Sequence, residues 1–313
     1  MGKGLFRKSL GALGSSLGLL LGKAAAAPVT YKDFEARNYR TAANLPVPYR
    51  LFKPKGYSPD KKYPIMITLH GAGERGVDDS LQLKYKLGLM WADSAAQAIR
   101  PSFVFAPQCP PEPNRWVNRP WEGGSYDFAS VPISAPLQAV VDILDSLSRE
   151  FSLDADRVYV SGMSMGGYGA WYLLMKYPDR FAAAVPVCGA GDPKLAASIK
   201  HVPVWAFHAA DDNVVPVAGS RDMINALKAA GGNPTYTEYA PGLRYGHDAW
   251  TPSANTDGLA AWVLAQSRGT TSVITAHPAG AGRHAGVLPG PFFEWKQGRI
   301  DIRGRSLPGS TSP

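Results

Sequence analysis

The stretch Val158-Tyr159-Val160-Ser161-Gly162-Met163-Ser164-Met165-Gly166-Gly167-Tyr168-Gly169-Ala170-Trp171 constrains the fold more than any other part of the 313-residue chain. Its β-branched and aromatic residues read as a strand, its glycines as a tight turn, and the apolar run after them as the start of a helix. Ser164 stands at the apex, with Gly162 and Gly166 two residues to either side. A serine held there in a strained backbone conformation projects its hydroxyl above a sheet, while strand and helix approach too closely for side chains at the flanking positions. The motif is a nucleophile elbow. An ordinary glycine-rich turn with a solvated serine is the plain alternative, and it leaves the strand before and the helix after unexplained. Ser161 lacks the glycine pair.

Around the elbow the apolar segments alternate between strand-like and helix-like, which predicts a mostly parallel sheet covered on both faces. Pro48 to Lys53 alternates loosely, as one strand of an opening antiparallel pair. Tyr63 to Leu69 and Phe103 to Pro107 read as buried strands, with a helical stretch from Ser80 to Ile99 between them. A long connection from Gln108 to Ser134 holds Trp116 and Trp121. Connections of that length are commonly functional, so both tryptophans are expected to wall the site. Leu137, Val140, Val141, Leu144 and Leu147 mark a helix by spacing, and Asp154 to Arg157 reads as a turn into the elbow strand. Strands follow at Phe181 to Val187 and Val202 to Phe207, a helix at Val217 to Ala230, a strand at Thr235 to Tyr239 and a closing helix at Asp257 to Gln266.

The net charge of +8 sits at the ends of the chain. Between residues 28 and 268 there are 24 basic against 23 acidic residues, which offers no electrostatic footprint for nucleic acid. Residues 1–27 carry Lys3, Arg7 and Lys8, a short apolar run, then Lys23 and Ala24 to Ala27. That layout predicts a signal peptide and a secreted or periplasmic protein; the run is too short and glycine-rich for stable membrane insertion. Residues 269–313 lose periodicity and are expected to form a disordered basic tail, leaving 28–268 as one catalytic domain. Cys109 and Cys188 each follow an apolar strand, which favours two buried free thiols over one bridge.

A serine hydroxyl is a weak nucleophile until a positioned base takes its proton. Of six histidines, His277 and His284 lie in the tail, while His70, His201 and His208 flank strands and read as structural. His247 remains, in a glycine-containing loop between the last strand and the last helix. The imidazole needs a carboxylate to fix its tautomer, and Asp211 and Asp212 both stand just past a strand end. The loop His70-Gly71-Ala72-Gly73-Glu74-Arg75-Gly76 supplies small residues beside the site. Backbone N–H groups of Ala72 and Met165 are the expected oxyanion hole, with Glu74 and Arg75 as a bracing ion pair. The histidines and cysteines show no metal-ligand spacing, and no cofactor is expected.

Leu69 to Gly76, Ala106 to Cys109, Asp156 to Gly169 and Gly246 to Trp250 resemble, in order, the α/β-hydrolase superfamily, and within it a bacterial predicted-peptidase and carboxylesterase group. That group is similar to phospholipase/carboxylesterase, dienelactone hydrolase and polyhydroxyalkanoate depolymerase enzymes. The resemblance implies an α/β-hydrolase fold. Val214-Val215-Pro216 resembles the sequence after the acid of such enzymes, which implies Asp212 as the partner of Ser164 and His247. A small-molecule or polymeric ester is the implied substrate, and the short Cys188 to His201 connection leaves little material for a lid. A serine peptidase with the same three residues, and a non-catalytic binding protein on the same scaffold, are the competing expectations.

Overall fold

Apolar runs as continuous as Tyr63–Leu69 and Phe103–Pro107 can be buried only if both faces of their sheet are covered. In the computed structural model, which describes residues 27–269, every residue of both runs is buried. They are β3 and β4 of an eight-stranded sheet whose other members are β1 (Glu35–Arg40), β2 (Pro46–Phe52), β5 (Leu153–Met163), β6 (Ala183–Val187), β7 (Trp205–Ala209) and β8 (Thr235–Tyr239). The order across the sheet is β1-β2-β4-β3-β5-β6-β7-β8. β1 and β2 form the antiparallel opening, β2 also runs antiparallel to β4, and the remaining pairs are parallel.

Side chains alternate between two cores. Ile65, Ile67, Leu69, Val158 and Val160 face one, and Met66, Val104, Ala106 and Tyr159 face the other. The first is closed by α3 (Ala135–Glu150), α4 (Met165–Lys176) and α6 (Ala218–Ala229), the second by α1 (Lys86–Leu89), α2 (Ser94–Ile99) and α8 (Leu259–Ala265). Shorter helices are α5 (Ala196–Ile199) and α7 (Trp250–Ser253). The Ser134 hydroxyl accepts Leu137 N–H and so starts α3, whose expected apolar stripe is buried. A mostly parallel eight-stranded sheet in this order, with β2 antiparallel to both its neighbours and helices on both faces, is the α/β-hydrolase fold.

Two local expectations need correction. The stretch 80–99 is not one helix but short 3₁₀ turns and the four- and six-residue helices α1 and α2, the second capped by Asp93. Gly88 interrupts the helical preference there and lies against the backbone of Gln82. Residues 154–157 do not precede the elbow strand but belong to it: the partner of Leu153 is Tyr63 and that of Val158 is Ile65, so the four residues bulge opposite Pro64 alone.

Between β6 and β7 stand only a 3₁₀ turn at Pro193–Leu195 and α5, with no inserted lid. Among the described residues no helix is long and apolar enough to cross a membrane. The expected leader 1–27 and tail 269–313 fall, Ala27 and Gly269 aside, outside the described residues.

Candidate active site

The elbow forms where β5 ends and α4 begins. Ser164 has φ 54° and ψ −120°, a backbone conformation that a side chain adopts only when its surroundings enforce it. Its N–H donates to Val187 O at 2.9 Å, which ties the apex to β6. The flanking glycines are a packing requirement: a Cβ at Gly162 would lie 2.1 Å from Gly166 O, and one at Gly166 would lie 2.0 Å from Leu69 O. Strand, turn and helix therefore close on each other with no room for a methyl group. Ser164 keeps 9% of its surface exposed, at the sheet edge where the parallel strands end.

His247 and Asp212 meet it there. Ser164 Oγ lies 2.8 Å from His247 Nε2, and His247 Nδ1 lies 2.8 Å from Asp212 Oδ2. The second carboxylate oxygen, Oδ1, accepts the N–H groups of Val214 and Val215, both at 2.9 Å. Asp211 is turned away from the imidazole; its Oδ1 accepts Gly246 N–H at 3.1 Å and so braces the loop that carries His247. Burial by itself would raise the pKa of Asp212, but hydrogen bonds from His208 and His247 outweigh it and hold the carboxyl well below the usual carboxylate range. His208 is the contact that the strand-end reading of this histidine did not anticipate. Its Nε2 lies 3.2 Å from Asp212 Oδ2.

The loop expected to supply the oxyanion hole leaves β3 at His70 and makes a 3₁₀ turn over Ala72–Glu74. The first N–H groups of such a turn, like those of α4, have no acceptor within their own element. A Cβ at Gly71 would lie 3.6 Å from Ser164 Cβ, so this loop backbone runs directly beside the serine. Glu74 and Arg75 do not pair. Neighbouring residues of a helical turn point in different directions: Arg75 reaches Ala72 O at 2.9 Å and Glu112 at 3.4 Å, while Glu74 turns inward and is 5% exposed. Burial raises the Glu74 pKa against the opposing pull of Lys84 and of the N–H groups of Gly71 and Glu74 that face its carboxyl.

Trp116 is not a wall of the site. It is completely buried beneath the 70–76 loop, where its indole N–H donates to His70 O at 3.0 Å. An indole is large and carries one donor, so it fills a core under a loop and satisfies a carbonyl there. Trp121 is 9% exposed, with the Arg115 guanidinium 4.5 Å above its ring, and its carbonyl accepts the Tyr168 hydroxyl from α4 at 2.8 Å. Arg115 rather than the indole face thus meets solvent at that position.

Cys109 and Cys188 are both buried and unbridged. Cys188 Sγ, the Asp212 carboxylate and a His247 ring nitrogen lie within 4.8 Å of one another, but burial keeps the Cys188 thiol protonated, which makes the cluster a poor cation site. Occupancy would require breaking the His247–Asp212 hydrogen bond.

The fold and sequence have counterparts among known proteins. The solved structure of a thermostable esterase superposes with a TM-score of 0.70 at 39% identity, over 76% of this chain and 64% of that one. A secreted protein of Arthroderma benhamiae is 28% identical over 216 residues, 59% of this chain and 21% of its own length. The bifunctional acetylxylan esterase/xylanase XynS20E of Neocallimastix patriciarum is 31% identical over 78 residues, 25% of this chain and 12% of its own length. This chain thus spans only about a fifth or less of these two relatives. The family model described as "Putative esterase" matches residues 41–241, from the turn after β1 through β8, and the chain belongs to that family.

Proposed function

We propose that this protein is a secreted serine carboxylesterase that works through an acyl-enzyme on Ser164. The observation that carries the reading is the unbroken contact from Ser164 Oγ through His247 to Asp212, at 2.8 Å for each hydrogen bond. Ser164 Oγ attacks the ester carbonyl as its proton passes to His247 Nε2, and Asp212 stabilises the imidazolium so formed. The tetrahedral oxyanion is met by the N–H groups of Ala72 and Met165. Collapse of that intermediate releases the alcohol, which takes the proton from Nε2. Water then adds to the acyl-enzyme, gives a proton to His247, and releases the carboxylic acid while Ser164 recovers its own.

The short β6–β7 connection leaves the serine approachable from solvent, which favours small or polymer-borne esters over long-chain lipid. The sequence of residues 1–27 and the likeness to a secreted fungal protein support export. Turnover of a panel of p-nitrophenyl esters, peptide amides and long-chain triglyceride emulsions tests the assignment. Short esters are expected to be cleaved fastest, with fluorophosphonate labelling at Ser164. Equal turnover of emulsions would remove the open-site argument, amide turnover without ester preference would make the protein a peptidase, and an unlabelled Ser164 would remove the mechanism.

A further inference from the structure

Asp212 has two imidazole partners. His247 Nδ1 approaches Oδ2 at 2.8 Å, and His208 Nε2 approaches the same oxygen at 3.2 Å. His208 is carried by β7, four residues before the carboxylate, and neither side chain has any solvent exposure. Nε2 of His208 also faces Val215 O at 3.1 Å. A ring nitrogen set between a carboxylate and a carbonyl must carry hydrogen, because both neighbours only accept. Nδ1, at the other side of the ring, meets the Ser220 hydroxyl at 2.8 Å, and that hydroxyl lies 3.1 Å from Gly189 O. The ring is thus locked from both sides.

We propose that His208 is a positioning residue of the relay: by sharing Oδ2 of Asp212 with His247, it sets how basic that carboxylate is and hence the pH at which His247 becomes free to accept the serine proton. The inference rests on Ser164, His247 and Asp212 acting as proposed above. An oxygen that accepts two N–H donors gives less to each, so the imidazolium of His247 is stabilised less than by a carboxylate with one partner. Removing the second donor returns the whole oxygen to His247, and the acid limb of the activity profile moves upward.

Other titratable groups face this pair from each neighbouring element: Cys188 at the end of β6, Tyr168 on α4 and Glu238 on β8, beside His208 in the sheet. Cys188 and Tyr168 are held neutral by burial. Glu238 is occupied by Arg221 at 2.6 Å and the Tyr236 hydroxyl at 2.9 Å, and Asp211 by Gly246 N–H. Among the described residues, the two imidazoles are the side chains that hydrogen-bond to the Asp212 carboxylate.

The test uses two amides of different reach. A glutamine at 208 can bring its NH₂ to the place of Nε2, whereas an asparagine reaches only the place of Nδ1 and leaves Oδ2 unshared. The full-length protein and the variants His208→Gln and His208→Asn are compared by kcat/KM for a short p-nitrophenyl ester across pH, with thermal unfolding followed alongside. The acid limb of His208→Asn is expected to rise by about one pH unit, and that of His208→Gln to stay with the parent. A purely architectural role would lower the melting temperature and the plateau activity in both variants and leave the limb in place, which overturns the proposal. Equal shifts in both variants overturn it too, since the donor would not matter. Loss of folding in His208→Asn transfers the test to the parent and His208→Gln, whose low-field proton resonance from His247 Nδ1–H must coincide; a displaced resonance overturns the proposal. Fluorophosphonate labelling of Ser164 in the parent keeps the two levels apart: an unlabelled parent removes the mechanism, while a labelled parent with an unmoved limb in His208→Asn removes only the part assigned to His208.

Discussion

His70 Nε2 accepts the backbone N–H of Cys109 at 2.9 Å, which leaves Nδ1 as the protonated nitrogen, 2.6 Å from Gly71 O. One neutral imidazole thereby joins the end of β4 to the 70–76 loop beside Ser164. Protonation would place a hydrogen on Nε2 against the Cys109 donor, and burial already lowers the pKa of His70 from 6.5 to about 4. The native state therefore excludes a proton that the unfolded chain binds. Its stability contribution is complete above pH 6.5 and is lost as the pH falls toward 4, by up to about 3 kcal/mol. Urea unfolding of the protein and of His70→Gln at pH 7 and pH 4.5 checks this: the variant should start less stable and lose less on acidification.

Much of this site was legible in the sequence because its parts are local. The elbow declares itself through Gly162, Ser164 and Gly166, and the structure shows each glycine facing backbone that a methyl group would strike. What was not legible depends on which way side chains turn within a loop. Glu74 and Arg75 are adjacent and opposite in charge, yet one is buried and the other reaches Glu112. Trp116 looked like a surface for substrate, but whether an indole in a long connection faces solvent or core depends on partners distant in the chain, here His70. The second imidazole on Asp212 was hidden for the same reason: a histidine ending a strand carries no local sign of what it will touch.

Close approach at the elbow makes an unequal pair of alanine substitutions. A Cβ at Gly167 would lie 2.4 Å from Val187 O, which is backbone and cannot rotate away, whereas one at Gly73 meets nothing within 4 Å. Gly167→Ala is expected to cost about 3 kcal/mol or more. Gly73→Ala should leave stability unchanged or raise it by about 0.5 kcal/mol through the unfolded chain. Denaturant midpoints of the two variants decide the matter, and similar midpoints would mean that the strand and helix are less tightly closed than described.

Glu74 lies inside the 3₁₀ turn beside Ser164, with the N–H groups of Gly71 and of Glu74 itself facing its carboxyl. An acceptor from the third residue of a turn back to the residue before it is half of a capping box. Glu74→Ala removes that acceptor and leaves the buried Gly71 N–H without one, while the Glu74 N–H keeps Gly71 O at 3.4 Å, at a cost of about 1–3 kcal/mol. The loop beside Ser164 should then loosen, with kcat falling more than tenfold and KM changing little, in keeping with weakened oxyanion donors. Glu74→Gln keeps a carbonyl acceptor and should retain most of the activity. Steady-state kinetics at matched fractions folded separate the two variants.

The adjacent carboxylates Asp211 and Asp212 give the sharpest contrast. Asp212 meets His247 Nδ1 and is spanned by the Val214 and Val215 amides, while Asp211 meets only the Gly246 N–H of the loop that carries the imidazole. Asp212→Asn keeps the shape but offers no charge to the imidazolium and invites the wrong tautomer, so kcat should fall by about 10⁴-fold. Asp211→Asn retains a side-chain carbonyl that can still accept Gly246 N–H, so activity should stay within about threefold of the parent; Asp211→Ala loses that bond, worth about 1 kcal/mol, and should cost no more than about tenfold. Because both aspartates occupy the same turn, general damage to the turn would affect the two asparagine variants alike. Parallel losses would therefore show that turn geometry, not charge placement, governs the rate, and a larger loss in Asp211→Asn would reverse the assignment of the acid.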